Sequence, residues 1–232
     1  MTSKTALITG AGRGIGLATT KAFLGAGWRV LALDKDFSRF DAEGRLERIQ
    51  FDLTNTAGIA ALVEQIGQIH TLVNNAGVLY CEPYESIPEA HKREIIAVNL
   101  EAPVALITAV APQMIARLQG RIVNIGSVAA FTGHPDLWYG ITKAGILNLT
   151  KSWAAQLGRH GVLVNAVAPG PTHTEMYEKL PQSRKDMVSR SVYSWRAARP
   201  DEVAQAILWL GSASPEYVNG TTLDCNNGSY PR

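Results

Sequence analysis

A chain of 232 residues can build one substantial core and lies near the upper range of a single domain. Apolar residues make up 46% and charged ones 18%, and 22 basic against 20 acidic side chains leave +2, so nothing points to nucleic acid or an anionic membrane as partner. No uninterrupted apolar run approaches bilayer-spanning length, and the start, Met1 to Gly10, enters a strand without an apolar signal segment. The 2 cysteines, Cys81 and Cys225, lack metal-type spacing and cannot form a disulfide framework. The expectation is a cytoplasmic protein with no metal site and two inert thiols.

Short β-branched runs alternate with helical patterns along the chain. Ala6 to Thr9 reads as a strand, and Ile15 to Ala26 as a helix ending at Gly27. Trp28 to Leu33 and Arg48 to Phe51 read as the next strands; Ile59, Leu62, Val63 and Ile66 then mark one helical face. Thr71 to Asn74 is a fourth strand. Ser86-Ile-Pro-Glu89 has the form of a capping box with Pro in the first turn, opening a long helix. Arg121 to Ile125 is a strand, Tyr139 to Leu157 a long helix, Val162 to Val167 a strand, Pro200 to Leu210 a helix, and Thr221 to Asp224 a seventh strand. Apolar strands each followed by a helix predict an α/β domain, a parallel sheet covered on both faces, spanning 1–232 with no linker or repeat. The polar stretch 172–199 reads either as a lid over a substrate or as a solvated helical excursion.

The first strand runs into Thr9-Gly-Ala-Gly-Arg-Gly-Ile-Gly16. Its spacing, Gly10-x-x-x-Gly14-x-Gly16, between a strand and a helix suits a pyrophosphate, which the free N–H groups and positive end of the helix would hold. Asp34 ends the second strand, 20 residues past Gly14, where a carboxylate would bond ribose hydroxyls and repel a 2′-phosphate, selecting NAD over NADP. Arg13 pulls the other way. Asp52-Leu53 follows the third strand, where the carboxylate would accept from an adenine amino group, and Asn74-Asn75-Ala76-Gly77 follows the fourth. Tyr139 and Lys143 stand four apart, one above the other on a helix. A cation there would lower the phenol pKa and make Tyr139 a general acid/base.

These residues resemble the short-chain dehydrogenase/reductase family over essentially the whole chain. The resemblance rests on Thr9 to Gly16, Asn74 to Gly77, Asn99, Ser127, Tyr139-x-x-x-Lys143, Asn165 to Gly170 and the closing Gly220 to Gly228 segment. It implies a Rossmann-type, doubly wound, seven-stranded parallel sheet with helices on both faces. It also implies a tetrad of Asn99, Ser127, Tyr139 and Lys143: Ser127 holds the substrate oxygen, Tyr139 transfers the proton, Lys143 binds the nicotinamide ribose and lowers the Tyr139 pKa, and Asn99 holds a water linking Lys143 to solvent. Cofactor contacts would come from Gly10, Arg13, Gly14, Ile15, Gly16, Asp34, Asp52, Leu53, Asn75, Ala76, Gly77, Pro169, Gly170 and Thr172, with Thr174 the alternative to Thr172. Two departures stand out: Ser127 and Tyr139 are 12 apart, one fewer than much of the family has, and Asn226 stands where an acid is often found. His134 and Trp138, in the loop between Ser127 and Tyr139, are the candidate substrate contacts.

The expected function is an NAD-dependent oxidoreductase interconverting a secondary alcohol and a ketone. The alternative is an NADPH-dependent reductase of 3-oxoacyl chains on acyl carrier protein. A remote one, from a different class, is a nucleotide-sensing regulator that kept the fold and lost the chemistry. The resemblance also implies a homotetramer or homodimer through the long helices, with Leu147 and Trp153 expected at the interface.

Overall fold

Runs of Leu, Ile and Val without polar interruption need cover on both faces, and a parallel sheet with crossover helices supplies it. The computed structural model describes residues 4–80 and 82–231, so Met1 to Ser3 and the expected inert thiol of Cys81 lie outside the described residues. The strands are β1 (Thr5–Thr9), β2 (Arg29–Asp34), β3 (Leu46–Gln50), β4 (Thr71–Asn74), β5 (Gly120–Ile125), β6 (Val162–Pro169) and β7 (Thr222–Cys225). They form one 7-stranded sheet in the order β3-β2-β1-β4-β5-β6-β7, parallel throughout. β1, β4 and β6 are buried along their whole length, whereas β3 at the edge is partly exposed. β3 opens earlier than its apolar run because pairing continues from Asp34↔Gln50 back to Val30↔Leu46.

The helices divide between the faces. On one side α2 (Ile59–Ile66), α4 (Ala102–Ala116) and α5 (Leu137–Leu157) close a core around Leu7, Leu72, Ile107 and Val164. On the other, α1 (Gly14–Gly25) and α8 (Pro200–Ser212) bring Phe23, Val203 and Ile207 onto Ile8, Val73 and Val123. The remaining α-helices are α3 (Glu89–Ile96), α6 (Glu175–Glu178) and α7 (Gln182–Arg190), and α3 packs on α5.

Because β2 follows β1 on one side and β4 adjoins it on the other, the chain leaves the sheet in opposite directions at the ends of β1 and β4. A crevice opens there. The ends are pinned side by side: Thr9 Oγ1 accepts from the Asn75 and Ala76 N–H groups at 3.0 Å each, and Asn75 Nδ2 donates to Thr9 O at 2.9 Å and Gly10 O at 3.1 Å.

Several local expectations change. The Ser86–Glu89 capping box does not form. Ile87 precedes a proline, which disfavours helical backbone, and both Ile87 (ψ 117°) and Pro88 (ψ 139°) are extended, so α3 starts at Glu89 without a side-chain cap. The helical run Glu89–Ala116 is long and apolar enough to cross a bilayer by length and composition alone, although Glu94 and Glu101 interrupt its apolar residues. Half of its most apolar stretch is buried inside the domain, where Leu106, Ile107, Val110 and Met114 are core residues. The stretch 172–199 contains α6 and α7 joined by turns and irregular segments, so it is helical in part. Leu147 is 6% exposed and packs against Gly126, while Trp153 is partly buried against the core. A charge at Leu147 would therefore test packing within one subunit, not assembly.

Candidate active site

A cleft of about 600 Å³ lies along the carboxyl ends of β1, β2, β4, β5 and β6. Gly10, Arg13, Gly14, Ile15, Asp34, Asp52, Leu53, Asn75, Ala76, Gly77, Ser127, Tyr139, Lys143, Pro169, Gly170 and Thr172 all line it, as the sequence predicted. Three predicted residues, Gly16, Asn99 and Trp138, are not in its lining. At Gly16 a Cβ would overlap the Gly10 carbonyl oxygen, so the tight turn requires glycine there. Gly10 has φ 62°, and a Cβ would come within 2.8 Å of Ala76 Cα.

At the β2 end, the Asp34 carboxylate is held by two backbone donors, Gly12 N at 2.8 Å and Asp36 N at 3.1 Å. Arg13 reaches Glu175 at 3.4 Å and Arg39 reaches the same carboxylate at 3.0 Å. Lys35 pairs with Glu94 at 3.3 Å. The cations near Asp34 are thus engaged elsewhere, and Glu175 is the group that engages two of them. α1 begins without a side-chain cap or an acid in its first turn, leaving its N–H groups open to an anion. Asp52 accepts from Thr54 N at 2.9 Å, and that bond keeps its carboxyl below the usual carboxylate value. Carboxylate, uncapped helix end and glycine turn together fit a dinucleotide.

The chemistry gathers after β5. Asp136 caps α5, accepting from Tyr139 N at 3.0 Å with one oxygen and from Tyr80 N at 3.1 Å with the other. This fixes the first turn of α5 and with it the Tyr139 side chain. Lys143, one turn on, is 5% exposed, donates to Ile125 O at 2.8 Å and lies 5.6 Å from the Tyr139 ring centre. Burial lowers its pKa to about 8. The expected lowering of the Tyr139 pKa is not found in the protein by itself. Burial raises it, the Ser127 hydrogen bond lowers it, and Asp136 raises it again. Burial outweighs the Ser127 bond. Asn99 sits in a π-helical turn, Ala97–Glu101, between α3 and α4. Both of its N–H donors are used: Nδ2 donates to Val78 O at 3.0 Å and Thr142 Oγ1 at 3.3 Å, while Oδ1 accepts from Val78 N at 2.8 Å.

His134 lines the cleft, its ring centre 5.1 Å from that of Tyr139. Trp138 sits beside Lys92 of α3, whose ammonium lies 5.0 Å from its ring centre. Next to Tyr139 on the helix, it is turned away by about 100°. Thr172 donates to Gly170 O at 3.0 Å, and Thr174 caps α6 through Tyr177 N at 3.4 Å. Met176, Tyr177, Leu180, Arg184, Met187 and Val188 from the 172–199 stretch also line the cleft. None of these was singled out in the sequence. Asp136, three residues before Tyr139 at a helix start, carried a cap signal that was readable; Glu175 and Arg184 carried none.

The model of the short chain dehydrogenase family matches residues 4–185. The chain belongs to this family. As a short chain dehydrogenase it is an oxidoreductase acting on CH–OH or keto groups with NAD(P). It is 35% identical to the 3-oxoacyl-[acyl-carrier-protein] reductase FabG of Thermotoga maritima, over 97% of this chain and 97% of the relative. It is 33% identical to the galactitol 2-dehydrogenase of Agrobacterium fabrum, over 99% of this chain and 98% of the relative. The solved structure of a 4-hydroxyisoleucine dehydrogenase complexed with NADH superposes with TM-score 0.93 at 28% identity, covering 98% of this chain and 99% of that one.

Proposed function

We propose that this short chain dehydrogenase uses NAD and interconverts a secondary alcohol and a ketone. The observation that carries the reading is the placement of Asp34 and of the Ser127–Tyr139–Lys143 group in one cleft, at strands three spacings apart, roughly 14 Å. One end suits an adenosine ribose and the other a reacting carbonyl. Asp34, Asp52, the glycine turn and the start of α1 would hold the adenosine half, with Gly77, Pro169, Gly170 and Thr172 toward the nicotinamide. When bound, NAD supplies the hydride acceptor and NADH the donor.

The protein's own part is proton handling and orientation. Ser127 donates its hydroxyl to the substrate oxygen, and Tyr139 removes or returns the proton of that oxygen. Lys143 keeps two N–H donors after its bond to Ile125 O, free for a ribose. Asn99 fixes the π turn against Val78 and Thr142 and so positions the floor beneath Lys143. The reading also carries a cytoplasmic homotetramer or homodimer, supported by apolar Val104 (37% exposed) and Ile141 (56% exposed) on the outer faces of α4 and α5.

Fluorescence titration with NADH and NADPH, followed by NAD reduction with a panel of secondary alcohols, tests the assignment. At least about tenfold tighter NADH binding, near 1.4 kcal/mol, and NAD-linked turnover are expected. The second reading, NADPH-linked reduction of 3-oxoacyl thioesters on a carrier protein, is favoured by the similarity to FabG and by Arg13 and Arg39 near the adenosine end. Tighter NADPH binding with faster acetoacetyl thioester reduction would replace the first reading by this one.

A pH effect follows from Lys143. Its ammonium is lost as pH rises through about 8, so NADH affinity is expected to fall above that pH and Lys143→Met to flatten the profile. Stability runs the opposite way. Between about 8 and the ordinary 10.5 the unfolded chain binds more protons at this residue than the folded one, so the cost of burying the Lys143 ammonium, full below about 8, is relieved and stability rises across that window.

A further inference from the structure

The substrate side of the cleft contains a cation that no acid among the described residues neutralises. Arg184, on α7, lines it beside Leu180, Met187 and Val188. Its one side-chain hydrogen-bond partner among the described residues is His134, with Nη2 3.5 Å from Nε2, and no carboxylate pairs with it. The neighbouring cations behave differently: Lys185 pairs with Glu178 at 2.8 Å, and Arg13 and Arg39 share Glu175. Among the described residues, Arg184 and Lys143 are the charged side chains in this half of the cleft, and Lys143 is committed to the Ile125 carbonyl.

We propose that Arg184 binds the carboxylate of the substrate, so that the enzyme acts on a short hydroxy acid or oxo acid with an otherwise apolar chain. The inference rests on the dehydrogenase reading given above. A guanidinium offers two parallel N–H donors that match a carboxylate, and the apolar side chains of α7 around it strengthen the pairing. Placement agrees. His134 neighbours both groups, 3.5 Å from the Arg184 guanidinium and 5.1 Å ring centre to centre from Tyr139, which suits a short chain between the anion and the reacting carbon. His134 serves as a positioning residue. Burial, with the Arg184 charge reinforcing it, pushes its pKa down, so the ring is neutral. Nδ1 lies 3.1 Å from both Asp136 O and Asp136 N, and in the tautomer with Nδ1 protonated it donates to that carbonyl while Nε2 accepts from Arg184. The ring then aims the guanidinium without competing for the anion. A single cation with no cluster of N–H donors beside it suits a monoanion better than a phosphate.

The test compares 3-hydroxybutanoate, 4-hydroxypentanoate and 5-hydroxyhexanoate with their methyl esters, as NAD-linked substrates of the wild type, Arg184→Gln and Arg184→Lys. For the best chain length the acid is expected to exceed its ester in kcat/KM by about 30-fold, the range of a charge-assisted hydrogen bond. In Arg184→Gln that ratio should collapse toward one, through KM rather than kcat, and Arg184→Lys should recover part of it. Calorimetric binding of butanoate to the protein saturated with NADH, or with NADPH if only that binds, gives a readout independent of turnover. Binding about tenfold weaker in Arg184→Gln than in the wild type supports the assignment. Esters used as well as acids, or butanoate bound alike by wild type and Arg184→Gln or by neither, would overturn it. Failure of the NAD reading looks different: neither esters nor neutral secondary alcohols are turned over with NAD, while the butanoate comparison still decides the role of Arg184.

Discussion

Tyr139→Phe is expected to lower kcat about 10³-fold, the upper part of the range for one general acid/base, while NADH binding stays within about twofold. The change removes one oxygen from a ring whose place is set by other groups. Asp136 holds the Tyr139 backbone N–H at 3.0 Å, and the ring rests near His134. Rate and binding should therefore separate. Stopped-flow measurement of nicotinamide absorbance with a saturating alcohol gives the first, and fluorescence titration the second. A variant that keeps more than about a tenth of the wild-type rate would show that the proton leaves by another group and would remove Tyr139 from its role. Because burial raises the Tyr139 pKa in the protein alone, oxidation by the wild type should quicken as pH rises, and the variant should lose that slope.

Asp34→Asn should change cofactor choice as strongly as Tyr139→Phe changes rate. The amide oxygen can still accept from Gly12 N, now 2.8 Å from Asp34 Oδ2, so the turn keeps its shape. What disappears is the negative charge. NADH affinity is expected to fall about 10- to 100-fold, as for a lost charge-assisted hydrogen bond, and NADPH affinity to rise as repulsion of the 2′-phosphate ends. Glu175→Gln should raise NADPH affinity by a different route, because it releases Arg13 and Arg39, both now within 3.4 Å of that carboxylate. Paired titrations with the two reduced cofactors measure each change. An unchanged NADH-to-NADPH ratio in Asp34→Asn would show that the carboxylate does not face the ribose.

Both expectations begin with features readable in the chain. The glycine turn, Asp34, Asn75 to Gly77, Ser127 and Tyr139-x-x-x-Lys143 stand at strand ends or on one helix face, and the cleft gathers them. They were readable because local spacing fixes such residues relative to their own strand or helix. Trp138 and Leu147 could not be placed from the sequence for the complementary reason. Which side of α5 faces the cleft, the core or the exterior depends on helices and strands distant in sequence, and α5 is apolar on more than one side. Ser86 failed as a cap because the backbone preference imposed by Pro88 outweighed the motif.

The sequence by itself determined the alternation of apolar strands and helices, hence the parallel sheet, the glycine-lined crevice, and the reacting Tyr139 and Lys143. Only the tertiary structure decided the electrostatics. It joined Glu175 to Arg13 and Arg39 across the cleft, bound the Lys143 ammonium to Ile125 O, let burial raise the Tyr139 pKa, and set Arg184 beside His134 without an acid. The physical reason is range. Periodicity and capping act over a few residues of chain, whereas charge and desolvation act through space, between groups that only the folded chain brings together.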